Sequence, residues 1–276
     1  MVKIIDIDTL FNKYIEGYVY ERVGKVKPEE IENKIPELYV KFGDEKLPEL
    51  NGFTPNTYYK KEDAKTLLQC LKQHLKEEVE VSDFLCEALV EKKEESDVVI
   101  REIDTQEDEI YLAYLLNILS DMKVEVNVSR YLEFILYDYS ENLSELAVET
   151  LCNQADKVKE EVLSQFEGAT EENKVKLLEI LSCARLDDRI FDILIAEFCK
   201  HQENIPLYCS FLSKYGDDRA LPFLLKSIED EKINYADFEE LRFTIEALGG
   251  EYDKQRDFSK DRFYKKIVQD GKQENQ

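Results

Sequence analysis

An all-α fold, a solenoid of stacked antiparallel helix pairs with an N-terminal helical segment, is the architecture this sequence predicts, and three observations predict it. A Leu-plus-small-residue step recurs at Leu119-Ser120, Leu151-Cys152, Leu181-Ser182, Leu212-Ser213 and Leu248-Gly249, at intervals of 32, 30, 31 and 36 residues. A period of this size marks a helical array in which each unit buries its apolar face only against its neighbours. The chain of 276 residues holds only nine Gly and six Pro, and the good helix formers Leu, Glu and Lys dominate it, so helix is favoured over sheet. Finally, apolar residues fall at helical rather than strand spacing along nearly the whole length.

Taken in order, the first helix opens near Asp8, an expected N-cap, with Phe11, Tyr14, Ile15 and Tyr18 at i, i+3, i+4, i+7. The second begins at Pro28, suited to a first helical position, with Glu29 and Glu30 complementing the dipole and Ile31, Ile35, Leu38 and Phe42 forming its stripe. Pro36 is expected to kink it. Between Gly43 and Thr57 lie Gly43, Pro48, Asn51-Gly52 and Pro55, the densest set of turn formers, and the main boundary is expected there. That gives an N-terminal helical segment, 1–57, an array over 58–270, and a disordered tail, 271–276. The stretch Leu50–Pro55 reads as a structural connection anchored by Leu50 and Phe53 in preference to an exposed recognition loop.

Helical patterns resume with Ala64, Leu67, Leu68, Leu71 and Leu75 and continue through Phe84, Leu85, Ala88 and Leu89. Residues 91–109 are charge-rich, with Val98, Val99 and Ile103 as the only strong apolar anchors, which fits either a short, loosely packed helix or a flexible joint. From about residue 108 the helices pair: 108–120 with 128–139, 143–153 with 156–167, 172–183 with 188–200, 204–214 with 218–229, and 235–248 with 258–269. Phe191, Leu194, Ile195 and Phe198 are matched thirty residues later by Leu221, Leu224, Leu225 and Ile228, and Leu132, Ile135, Leu136 and Tyr139 repeat the spacing earlier. Asp187-Asp188-Arg189 and Asp217-Asp218-Arg219 precede two of the second helices, where a carboxylate can accept unpaired backbone N–H groups.

Leu212-Ser213-Lys214-Tyr215-Gly216-Asp217-Asp218-Arg219-Ala220-Leu221 resembles the short HEAT-like repeat also found in bilin lyases, with its Leu-Gly-Asp-x-Arg-Ala-x-x-x-Leu pattern, and Glu246–Gly250 is similar to the close of the next first helix. The match covers 172–250 and extends by periodicity to about 108. Ser213 stands where the family has Gly, and Arg185-Leu186 departs from the turn of another unit. The resemblance implies a stacked-pair fold and, by itself, no activity.

Net charge is −24, of which residues 1–60 carry −2 and the rest −22. A surface of that sign repels phosphate backbones, so nucleic acid is excluded as an expected partner. A solvated acidic surface kept for solubility is the plainer reading, and a basic or amphipathic protein or peptide is the partner that would suit it. Cys70, Cys86, Cys152, Cys183, Cys199 and Cys209 form no C-x-x-C pair and read mostly as small core residues. With no signal-peptide pattern at the N-terminus and no run near 20 apolar residues, a cytoplasmic chain without membrane association is expected.

No motif carries catalysis, so the chain is expected not to be an enzyme, and no cofactor is expected. Neither His74 nor His201 has another His or a Cys at the i+4 spacing of a helical metal pair, so no metal is expected. Resemblance to the HEAT-like hydroxylase fails because no His-Glu dipeptide occurs. Lys61, Lys65, Lys72 and Lys76 share roughly one helix face, read as solvated. Tyr131, Phe134 and Tyr137 flank the stripe of their helix and are the candidate partner-binding anchors, with packing against the neighbouring unit as the competing reading. Tyr18, Tyr20 and Tyr39 invite the same question. The function expected is a protein-interaction scaffold with an acidic binding surface; the rival is a ligand-handling or bilin-lyase-like protein with a pocket between the N-terminal segment and the repeats.

Overall fold

The computed structural model describes residues 4–20, 28–137 and 139–266, and the described chain is all-α, with no strand among those residues. No helix of the described residues is long and apolar enough to cross a membrane. The expected tail and the end of the last expected helix lie outside the described residues; 262–266 are helical.

The chain forms two compact units, Met1–Arg130 with Tyr139–Leu146, and Tyr131–Asp138 with Ala147–Gln276. The division expected at 57 therefore falls inside the first unit. The turn formers of 43–57 do make a tight turn, through a 3-10 turn at Pro48–Leu50 and left-handed Asn51 and Gly52, but Leu50 is fully buried and keeps the segment packed. Phe53, the other expected anchor, is 40% exposed beneath the Lys61 ammonium, 4.5 Å from its ring centre.

In the first unit, α1 (Ile7–Tyr20) begins one residue before the expected cap. Asp6, not Asp8, takes that role, accepting from the Thr9 N–H at 2.7 Å and the Thr9 hydroxyl at 2.6 Å. The second expected helix is two: α2 (Pro28–Glu32) and α3 (Ile35–Gly43). Pro36 does not kink one helix but sits in the first turn of the next, where its missing N–H costs nothing. α1 and α3 join through Phe11 against Tyr39 and Phe42, and Tyr39 and Phe42 in turn pack on Phe84. The N-terminal segment is thereby built into the core of this unit.

After α4 (Pro55–Tyr58) come α5 (Ala64–Lys76), α6 (Asp83–Val90), α7 (Ser96–Thr105) and α8 (Glu109–Met122). α5 packs on α6 and α7, and α6 and α7 on α8. The charge-rich stretch is thus a packed helix, pinned by fully buried Val99 and nearly buried Ile103. α9 (Val128–Leu136) and α10 (Glu141–Cys152) straddle the division between units.

The second unit continues with α11 (Ala155–Phe166), α12 (Glu171–Leu181), α13 (Asp188–Lys200), α14 (Ile205–Tyr215), α15 (Leu221–Ile228) and α16 (Tyr235–Ala247). α11 packs on α12, α13 on α14 and α15 on α16, and alternate helices pack as well, α12 on α14 and α14 on α16.

Polar bonds record the period directly. In the first unit they join Lys60 to Glu91, the Ala64 N–H to Glu95, Lys72 to Glu102 and the Ser140 N–H to Glu109, at separations of 31, 31, 30 and 31 residues. In the second they join Asp156 to Arg185, Glu160 to Arg189, Asp188 to Arg219 and the Ile228 carbonyl to Arg256, at 29, 29, 31 and 28. Within each unit, then, polar bonds recur at a separation of about thirty residues, and in the first they reach back to Lys60. The two Asp-Asp-Arg turns cap as expected: Asp187 accepts from the Arg189 N–H at 3.1 Å and Asp217 from the Arg219 N–H at 3.0 Å.

Candidate functional site

The aromatics proposed as anchors are separated by burial. Tyr131 is 1% exposed and Phe134 0%, their rings 6.0 Å apart, while Tyr137 is 69% exposed. Tyr131 and Phe134 are core residues, which corrects the expectation: a helix covered on two sides buries positions that lie beside its main stripe as well as on it. Tyr39 is likewise occupied between Phe11 and Phe84, and its hydroxyl donates to Asp83 at 3.3 Å. Tyr20 is exposed, and Tyr18 half-buried.

The lysine face has structural uses. Lys72 pairs with Glu102 and lies over the Tyr111 ring at 5.0 Å, and Lys61 rests on Phe53 and Tyr58. A shallow pocket beside it, lined by Lys72, Lys76, Asp108 and Tyr111 among others, mixes both charges.

His74 is fully buried, with Nδ1 2.9 Å from the Cys70 carbonyl and 3.6 Å from the Cys70 sulfur. Cys70 stands four residues before it, a spacing missed when only positions after a histidine are considered. His201 has the same relation to Glu197. With Glu171 from α12 they form a cluster whose ligating atoms lie within 4.8 Å of one another, Nε2 being 3.3 Å from an oxygen of each carboxylate. Nδ1 meets Glu203 at 2.8 Å, and the ring stacks on Tyr208 at 5.3 Å. The Glu171 oxygen facing His201 is already bonded to Lys200 at 2.7 Å, and its other oxygen to Lys174 at 3.0 Å. Those bonds, that of Lys200 first, hold the Glu171 carboxyl down at about 2. The cluster works as an ion-pair network tying α12 to α13, and its cationic positions are filled by ammonium groups.

A different surface combines an apolar anchor with charge. Phe243 on α16 is 58% exposed, on the side away from buried Phe238, Leu241 and Ile245. Glu239, Glu240 and Glu246 stand three or four residues from it and so share its face. Arg242, bonded to Glu239 at 2.6 Å, lies 5.8 Å from the ring. Sequence reading passed over Phe243 because it belongs to no stripe; an isolated aromatic off the apolar side of an amphipathic helix is the signal that could have found it.

Comparison with protein-family models, curated proteins and solved structures returns no match. The functional reading therefore stands on the residues alone.

Proposed function

We propose that the chain is a non-enzymatic protein-interaction scaffold of HEAT-like helix pairs, whose acidic surface takes a basic amphipathic segment in the cytoplasm. The supporting observation is the excess of acid: 61 carboxylates stand against 37 Lys and Arg, so 24 carboxylates are left over even if every cation is paired. Such a surface draws a basic segment in and orients it, while affinity needs apolar contact. Phe243 within its ring of glutamates offers that contact, a rigid ring able to enter the apolar side of a docked helix. All six cysteines being free accords with a reducing compartment.

The test is titration with a labelled Lys/Leu amphipathic helical peptide, with its Glu/Leu counterpart as control. Binding of the basic peptide alone is expected, weakening steeply between low and high salt. Phe243→Ala should weaken it by about tenfold, the size of a modest anchor, and leave stability within about 0.5 kcal/mol because the ring is at the surface. Equal binding of both peptides, or affinity indifferent to salt and to Phe243→Ala, overturns the reading.

A further inference from the structure

The period places Cys152, Cys183 and Lys214 in one column, each 31 residues after the last. Cys152 ends α10, Cys183 lies in the turn after α12 and Lys214 is in the last turn of α14, all within the second unit. The Cys152 and Cys183 thiols both point at one acceptor, the Glu179 carbonyl, at 3.7 and 3.3 Å. Sharing that acceptor sets the two thiols side by side, and the Lys214 ammonium stands on the same residue, 3.9 Å from the Glu179 carboxylate. Both cysteines are half-buried rather than sealed in the core.

We propose that Cys152 and Cys183 are a redox pair that closes to a disulfide by exchange with a small-molecule disulfide, with Cys183 as the attacking thiolate and Lys214 as its positioning residue.

The remaining electrostatics agree with this assignment of roles. The hydrogen bond from Cys152, and after it Lys214, pull Cys183 down to about 6, whereas Cys152 is pushed up by the same shared proton and by burial. Burial first, with nearby carboxylates adding to it, drives Cys70 and Cys86 up to about 11 and Cys209 to about 12, leaving them protonated and inert. Exchange needs an attacking thiolate and closure needs a second thiol within reach, and the ammonium favours the first of these.

In the first step the Cys183 thiolate attacks one sulfur of glutathione disulfide, forming a protein–glutathione mixed disulfide and expelling a glutathione thiolate, which takes up a proton. Cys152 then loses its proton to solvent and attacks the Cys183 sulfur, expelling the second glutathione. Two protein thiols are oxidised to one disulfide, and one glutathione disulfide is reduced to two thiols. The product staples two successive modules, closing a loop of about thirty residues and restricting the unfolded chain.

Folded full-length protein is incubated with glutathione disulfide at pH 7, quenched with acid, alkylated and mapped by mass spectrometry. The expected product joins the Cys152 and Cys183 peptides, with Cys70, Cys86 and Cys209 still alkylated. Cys152→Ser should stop at glutathione on Cys183. Lys214→Met should slow the exchange at pH 7 about tenfold and move the midpoint of its pH–rate profile upward, while Lys214→Arg keeps the rate within about twofold, a contrast that loss of packing would not produce. The proposal is overturned if glutathione goes to exposed Cys199 while Cys152 and Cys183 stay reduced, or if the Lys214→Met profile is unmoved.

Discussion

Phe134→Ala is expected to lower the free energy of unfolding by about 3–5 kcal/mol, the range for emptying a fully buried aromatic site. Phe134 is 0% exposed and packs beside Tyr131, so truncation removes the ring's burial and leaves a cavity whose walls are held by neighbouring helices. Against a total stability of about 5–15 kcal/mol, this is a large share. Tyr137→Ala, three residues on but 69% exposed, should change stability by less than about 0.5 kcal/mol. Urea unfolding followed by circular dichroism measures both. A loss below about 1 kcal/mol for Phe134→Ala would place that ring at the surface and restore it as an anchor.

Asp217→Ala should cost about 2–3 kcal/mol, combining loss of an N-cap with loss of charged hydrogen bonds. The Asp217 side chain is only 5% exposed. It accepts from the Arg219 N–H, holds Arg219 Nε from both oxygens at 3.0 Å, and meets Nη2 at 2.6 Å. Arg219 held in this way reaches Asp188 one module earlier at 2.8 Å and stacks on Phe191 at 4.3 Å, so the loss spreads from a turn to the contact between modules. Asp217→Asn keeps an acceptor for the backbone and should cost about half as much. The pH dependence follows from the same bonds. Arg219 lowers the Asp217 carboxyl below its ordinary 3.8, and Arg189 does likewise for Asp187. A lowered carboxyl contributes its stability above the unfolded value and loses it as pH falls through the folded one. Wild-type stability should therefore decline below about pH 4, and Asp217→Asn should flatten part of that decline. A variant as stable as wild type, with an unchanged acid limb, would contradict this role.

The bounds of the helices from residue 108 to residue 248 are legible to within a few residues, because an apolar stripe at helical spacing recurs in each. Errors arose where one signal has two physical outcomes. Pro36 ends one helix or begins another, and composition does not say which. The turn formers of 43–57 mark a chain reversal, yet Leu50 and the Phe11, Tyr39, Phe42 and Phe84 rings keep the segment in the first core. Tyr131 and Phe134 looked peripheral on a helix wheel but are covered by neighbours a wheel does not show. At the sites, C-x-x-C motifs and histidine pairs are patterns of local spacing. The Cys152, Cys183 and Lys214 column is set by the 31-residue period, and the Glu197–His201 relation by a carboxylate partner, so neither matched a local motif. Phe243 was invisible for the opposite reason, having no pattern at all.

Zero-length carbodiimide cross-linking of amine to carboxylate, read by mass spectrometry, tests the repeat register most directly. Cross-links should concentrate at separations of about 25–31 residues, Lys60 to Glu91, Lys72 to Glu102, Lys159 to Asp187, Lys200 to Glu171 and Lys254 to Glu229 being the expected products. Cross-links within one helix aside, separations scattered without a maximum near thirty would contradict the stacking of modules within each unit.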